Sequence, residues 1–295
     1  MKVLLIGANG QLGSDMERIL GEGGHQVVPV RRCDLDVTDA AAAEDVLSSV
    51  RPEVVINTAA FHKVEECERN PALAFEVNAI APMNLARICS RLGSLLVHFS
   101  TDYVFDGAKE EPYLETDLPA PLNVYGVSKA AGEQLIAANT ERYFVVRTCG
   151  LYGVRGSSGK GGNFVETMLR KAGAKEPVRV VNDQVLTPTF TEDLADAVSF
   201  LIGTRVYGLY HASCEGYCSW YEFARTIFEL EGIHADLTPI RTSEIASPVR
   251  RPPYSVMSKQ RLQSVGIVTP FWKDSLARYL KARRVKQESG AAVWN

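Results

Sequence analysis

Short apolar runs and amphipathic stretches alternate from the first residue onward. Lys2–Ile6, Gln26–Val30, Glu53–Asn57, Leu95–Ser100 and Tyr143–Arg147 are runs of five or six residues with apolar side chains at consecutive positions, the pattern of strands covered on both faces. Between them Ser14–Leu20, Ala40–Val50, Pro71–Leu92 and Ser128–Ala138 carry helical patterns. Strand-helix alternation predicts right-handed crossovers and a doubly wound parallel sheet in an α/β fold. The carboxyl ends of such strands line a crevice, which puts the turn at Gly7, Arg31 and Arg32, Ala59 and Ala60, and Thr101 along one edge. After Gly153 the alternation loosens. Arg155–Gly162 reads as a flexible cationic lid over that crevice, with a bare linker as the alternative, and Ser219-Trp-Tyr-Glu222 is a capping box opening a helix whose Phe223, Ile227 and Phe228 face the core. The polar stretch from Arg283 to Asn295 is expected to fray.

Composition narrows the class without choosing a chemistry. With 295 residues, 46% hydrophobic, 23% charged and a net charge of -3, the chain buries most of its surface without disulfides or metals, in one large or two small domains. The slight acidity argues against nucleic acid. No apolar stretch approaches the roughly 20 residues of a membrane span and no leader cleavage pattern follows Met1, so no membrane partner and a cytoplasmic location are expected. The six cysteines are scattered, as small buried side chains in a reducing compartment would be.

Chemistry concentrates at two places. Gly7-Ala-Asn9-Gly10-Gln11-Leu12-Gly13 sits between the first strand and first helix, where backbone N–H groups cradle a pyrophosphate. Gly7 permits the turn, Gly10 lets phosphates approach, and Gly13 lets helix pack on sheet. Arg31 and Arg32 end the second strand, where the adenosine ribose of a dinucleotide lies; two cations suit a 2′-phosphate, favouring NADPH with NADH as the alternative. Asp36 and Val37 fall beside the adenine, although Asp36 also suits a turn or a helix cap. Downstream, Tyr125 and Lys129 are one helical turn apart and share a face. A nearby ammonium favours a phenolate, so Lys129 is expected to lower the tyrosine pKa from about 10. Thr101 ends the fourth strand, where its hydroxyl reaches a carbonyl oxygen held by Tyr125.

Together these strings resemble the extended short-chain dehydrogenase/reductases. Ser100-Thr-Asp-Tyr-Val-Phe-Asp-Gly107, Pro121-Leu-Asn-Val-Tyr-Gly-Val-Ser-Lys129, Gly162-Asn-Phe164, Asp183-Gln184 with Thr187-Pro-Thr189, and Arg251-Pro-Pro-Tyr-Ser255 follow the order of the dTDP-4-dehydrorhamnose reductase family. The resemblance implies a Rossmann-type cofactor domain over 1–148, with 189–204 packing back onto it, and a smaller α/β substrate domain from 149–188 and 205–285, followed by a flexible tail over 286–295. It implies NADPH-dependent reduction of a 4-keto group on a nucleotide-linked 6-deoxysugar. Thr101, Tyr125 and Lys129 take the catalytic positions, and Ala59 and Ala60 line the cofactor. His62, Asp102, Tyr103, Gly150, Asn163 and Arg251 fall where the family lines its substrate pocket. Gly150 replaces a tryptophan of the family and implies a roomier pocket, and Phe61–Cys67 departs from the family pattern at His62 and Glu66. Some relatives hold Mg2+ between subunits; Asp15 and Glu192 lie at comparable places but the third acid is missing near Ala282, so no metal is expected. A homodimer stays open. So do an epimerase or reductase of another nucleotide sugar and a non-catalytic NADP-binding regulatory subunit.

Overall fold

The computed structural model describes residues 1–155 and 162–288. The expected lid falls mostly on 156–161 and the end of the tail on 289–295, both outside the described residues. The first half runs β1 (Lys2–Ile6), α1 (Gln11–Glu22), β2 (Gln26–Val30), α2 (Ala40–Val50), β3 (Val54–Asn57), α3 (Val64–Arg69), α4 (Pro71–Phe75), α5 (Ala81–Leu92), β4 (Leu95–Thr101), α6 (Val124–Ala137) and β5 (Tyr143–Thr148). The second half runs β6 (Leu151–Tyr152), α7 (Phe164–Gly173), β7 (Val178–Val181), β8 (Val185–Leu186), β9 (Thr189–Phe190), α8 (Thr191–Thr204), β10 (Gly208–His211), β11 (Cys218–Ser219), α9 (Trp220–Glu231), β12 (Leu237–Ile240), α10 (Gln260–Ser264) and α11 (Trp272–Glu288).

Six strands form one parallel sheet in the order β10-β5-β4-β3-β1-β2. Because side chains alternate across a strand, consecutive apolar residues feed two cores. Val3, Leu5, Val54, Ile56, Val97 and Val146 pack with α1 and α8 on one face, while Leu4, Ile6, Val55, Leu96 and Val145 pack with α2 and α5 on the other. The chain leaves β1 for β2 on one side and returns to β3 on the other, so the crevice opens at that reversal. A third core gathers Val165, Met168, Phe223, Ile227, Phe228, Trp272, Leu276 and Tyr279 from α7, α9 and α11, with the two-stranded pairs β7–β12, β6–β9 and β8–β11 around it. The Ser219–Glu222 capping box is present as read. No helix among the described residues is long and apolar enough to cross a membrane.

Three features differ from expectation. β10, inside the span assigned to the smaller unit, is the edge strand of the main sheet and pairs with β5. The helix expected over Pro71–Leu92 is interrupted by a π turn at Glu76–Ile80; Pro82 has no N–H to give the Asn78 carbonyl, and such a lost bond is a recurrent cause of a bulge. The distortion is used: the Asn78 side chain accepts from Phe61 N (2.9 Å) and donates to Phe61 O (2.9 Å) and Ser128 Oγ (3.0 Å). Third, the stretch from Arg283 does not fray at its start. α11 continues to Glu288, and the Arg283 guanidinium grips Glu166 through Nε (2.6 Å) and Nη2 (3.0 Å).

A polar cluster lies buried where β5 and β10 meet α6. Arg147 donates to both Glu133 oxygens (Nε, 2.9 Å; Nη2, 2.6 Å), lies 3.3 Å from His211 Nε2, and stacks over Phe105 at 5.0 Å. Burial, then the Arg147 charge, pushes the His211 imidazole down to about 3. Burial and Lys129 hold His98 well below the usual value. Both folded values lie below the unfolded value of about 6.5, so the unfolded chain takes up protons that the folded one refuses. Stability therefore falls as pH drops from about 6.5 towards 3, by up to about 1.4 kcal/mol per pH unit for each ring. Paired urea titrations between pH 6 and 5 should show net proton uptake on unfolding; equal midpoints at the two values would contradict it.

Candidate active site

At the amino-terminal end of the crevice the backbone requires glycine. Gly7 has φ +82°, a conformation side chains rarely adopt, and a Cβ there would lie 2.5 Å from Thr58 Oγ1. A Cβ on Gly13 would meet Gly7 O at 2.2 Å, so this glycine lets α1 start hard against the turn. Gly10 caps α1 without a side-chain bond, and the first turn holds no acid. Gln11, Leu12 and Gly13 of that first turn line the cavity, and the unpaired N–H groups of a helix start suit an anion.

That turn opens into one cavity of about 860 Å³. Its walls include the whole Gly7–Gly13 set read from sequence (Gly7, Asn9, Gly10, Gln11, Leu12, Gly13), then Arg31, Arg32, Asp36, Val37, Ala59, Ala60, His62, Thr101, Asp102, Tyr103, Tyr125, Lys129, Gly150 and Asn163. Arg31 and Arg32 are exposed at the rim. The Asp36 carboxylate accepts from Thr38 N (3.0 Å) and Thr38 Oγ1 (2.8 Å), which holds its pKa down and gives it the turn-forming role. His62 Nδ1 lies 3.3 Å from Ala60 O.

Deeper in, β4 and the start of α6 bring the reacting groups together. Asn123 caps α6 by accepting from Gly126 N at 2.9 Å, so the helix begins at Val124 and places Tyr125 in its first turn. Tyr125 lines the cavity together with Thr101 and packs edge-on against Tyr103 at 5.9 Å. Thr101 Oγ1 donates to Asp102 Oδ1 at 3.0 Å and accepts from Tyr103 N at 3.2 Å. Ser255 Oγ donates to the other Asp102 oxygen at 2.6 Å. Burial pushes the Asp102 carboxyl up to about 6, with these two hydroxyls working the other way.

The electrostatics correct one expectation. Burial pushes the Tyr125 phenol up, the Thr101 hydroxyl opposes this, and Lys129 is not among the main influences on it. The Lys129 Nζ instead meets His98 Nε2 at 3.0 Å, and burial lowers this lysine to about 8, against the pull of Glu133. Helical spacing put the two residues on one face; it did not show that the amine turns to the sheet.

Three substrate-side expectations also change. Arg251 is not among the cavity walls, because its guanidinium is ion-paired with Glu65 and bonded to Tyr103. Asn163 lines the cavity, but its amide caps α7 by accepting from Glu166 N (3.1 Å) and donates to Gly153 O (3.1 Å), which ties it to holding elements together. Gly150 has φ +57°, and a Cβ would lie 2.9 Å from Leu186 Cδ1, so Leu186 fills the space beside it. Sequence reasoning missed Thr148, Leu186, Trp220 and Ser255 as cavity residues; Thr148, inside the string Arg147-Thr-Cys-Gly-Leu-Tyr-Gly153, and Ser255, inside the Arg251–Ser255 string, carried a signal.

The residues present fit a dinucleotide. Ser100 Oγ and Thr148 Oγ1 are buried with no hydrogen-bond partner among the described residues, and both belong to cavity walls. A side chain at Gly7 or Gly13 would force apart the close packing that shapes the turn at the cavity wall.

The family model of the RmlD substrate binding domain matches residues 1–285. The chain belongs to this family. Among relatives of this RmlD-type chain, the spore coat polysaccharide biosynthesis protein SpsK of Bacillus subtilis is 39% identical over 282 residues, 96% of this chain and 98% of that one. A dTDP-4-dehydrorhamnose reductase structure from Clostridium acetobutylicum is 42% identical, with a TM-score of 0.92 over 96% of this chain and 100% of that one. The Bacillus anthracis dTDP-4-dehydrorhamnose reductase, solved in complex with NADP, is 38% identical with a TM-score of 0.91 and the same coverage.

Proposed function

We propose that the protein is an NADPH-dependent reductase that converts the 4-keto group of dTDP-4-dehydro-L-rhamnose to the hydroxyl of dTDP-L-rhamnose. The observation that carries this reading is the convergence of Tyr125, Thr101 and Lys129 in the cavity that the Gly7–Gly13 turn opens into. The RmlD-family match and the reductases similar along nearly the whole chain support it. The Gly7–Gly13 backbone would hold the pyrophosphate and Arg31 and Arg32 the 2′-phosphate of NADPH, which would supply the hydride for the carbonyl carbon. Tyr125 gives its phenolic proton to the carbonyl oxygen while Thr101 holds that oxygen in line. Hydride plus proton complete the two-electron reduction, with the sugar ketone reduced and the cofactor oxidised. A phenol pushed upward stays protonated at neutral pH, so the donor is loaded before each turnover.

The test is loss of NADPH absorbance when purified protein meets a panel of 4-keto sugar nucleotides. Consumption with the dTDP-4-keto-6-deoxysugar and formation of dTDP-L-rhamnose are expected. An epimerase would change the sugar with no net cofactor loss, and a regulatory subunit would bind NADPH and do neither; each result contradicts the proposal. Replacing Arg31 and Arg32 together by alanine should weaken NADPH about tenfold or more and leave NADH within twofold, since charge-assisted bonds to one phosphate are lost. Fluorescence titration with both cofactors checks this, and equal weakening would remove the 2′-phosphate assignment.

A further inference from the structure

We infer that Asn57 and His98 are positioning residues that fix Lys129 from beneath the cavity: Asn57 locks the imidazole with its proton on Nε2, and that N–H is donated to the Lys129 amine. The three side chains are each 1% exposed. Asn57 and His98 face each other across β3 and β4, and Lys129 reaches down from α6. The polarity of the chain follows from its outer end. Asn57 Oδ1 accepts from Ala59 N at 3.0 Å, which leaves the Asn57 NH₂ turned toward His98 Nδ1, 3.2 Å away. That group only donates, so Nδ1 accepts, and a neutral imidazole accepting at Nδ1 carries its proton on Nε2. Nε2 lies 3.0 Å from Lys129 Nζ.

An ammonium has three donors and no lone pair. With the imidazole held this way, only the amine form of Lys129 matches every partner; the ammonium form sets N–H against N–H out of water. Turning the Asn57 amide over would relieve that contact but would bring its NH₂ against the Ala59 N–H. A doubly protonated imidazole is disfavoured by burial and by Lys129 itself. The other charge acting on Lys129 is Glu133 in α6, which favours the ammonium but is shared with Arg147 of β5. The chain of side chains therefore adds to burial in lowering the pH at which Lys129 loses its proton. The inference deepens the reductase reading, since Lys129 belongs to the proposed site, but its structural content does not depend on turnover.

The experiment uses the full chain without cofactor, labelled with 15N at histidine and with 13C at the lysine ε-carbon. Long-range 1H–15N spectra at pH 9 should show His98 Nδ1 bare and Nε2 protonated, assigned by the signal lost in His98→Phe. The Asn57→Asp variant should reverse the tautomer, because a carboxylate accepts from Nδ1–H. The Lys129 midpoint should lie below that of the other lysines, and His98→Phe should raise it by about one unit, a tenfold change in acid constant, by removing an opposing N–H. Were His98 an acceptor from the ammonium, the same substitution would lower it. Nδ1 protonated in the native protein, or a Lys129 midpoint that falls or stays put in His98→Phe, overturns the inference. If the phenylalanine variant does not fold, the native spectrum decides alone with Asn57→Asp as its assignment. Inactivity toward keto sugars with this tautomer intact would count against the reductase reading only.

Discussion

Replacing Tyr125 by phenylalanine is expected to cut turnover about 100- to 10,000-fold, the range that a positioned general acid contributes. The ring keeps its edge-on contact with Tyr103 and the helix start keeps its Asn123 cap, so fold and cofactor affinity should stay within about twofold. What is lost is the phenolic proton, on a ring that lines the cavity beside Thr101. The phenol is half-buried in the cavity wall and pushed above its ordinary value, so it stays protonated until the carbonyl oxygen takes its proton. Single-turnover absorbance with saturating NADPH separates the chemical step from binding. A rate within threefold of wild type would remove Tyr125 from the donor role.

Glu133→Leu should be the most damaging single change to stability. It strands the Arg147 guanidinium, 2% exposed at its side chain, under β5 without its two carboxylate bonds. Breaking a buried pair from one side costs about 3–5 kcal/mol, whereas removing both partners is often near neutral. The double variant Glu133→Leu with Arg147→Met should therefore recover most of the loss, although the Phe105 stacking goes wherever Arg147 is replaced. Urea unfolding of the two single variants and the double variant gives the coupling. Equal losses in single and double variants would mean that the pair is not what holds this region.

The central sheet was legible because a strand buried on both faces cannot alternate polar with apolar residues. Five of its six strands announce themselves by apolar runs, from Lys2–Ile6 to Tyr143–Thr148, although the edge strand β2 is buried only at Val30. The sixth, Gly208–His211, did not, since it is four residues long and joins β5 only after a long excursion through the second core. The π turn was hidden for a different reason: Pro82 tolerates the first turn of a helix, so nothing in the sequence said that α4 precedes it without a break.

At the site, the glycine turn and the Tyr125–Lys129 pair were readable because close approach and one-turn spacing are local requirements. The direction of the Lys129 amine was not, since His98 and Asn57 reach it from two strands far away in sequence. Arg251 misled for the same reason. An arginine in that string reads as a substrate partner, and in the structure it pairs with Glu65, 186 positions earlier. Gly150 looked like an opened space, yet with φ of +57° it has Leu186 and Pro188 close beside it, so a Cβ there would meet them.

A crystal structure with NADP and dTDP-L-rhamnose bound together tests the account most directly. The account predicts the Tyr125 phenolic oxygen and Thr101 Oγ1 both within about 2.6–3.2 Å of the sugar O4, with the nicotinamide ring facing C4 from the glycine-turn side. A sugar whose C4 lies away from Tyr125, or a tyrosine oxygen turned out of the cavity, would contradict it.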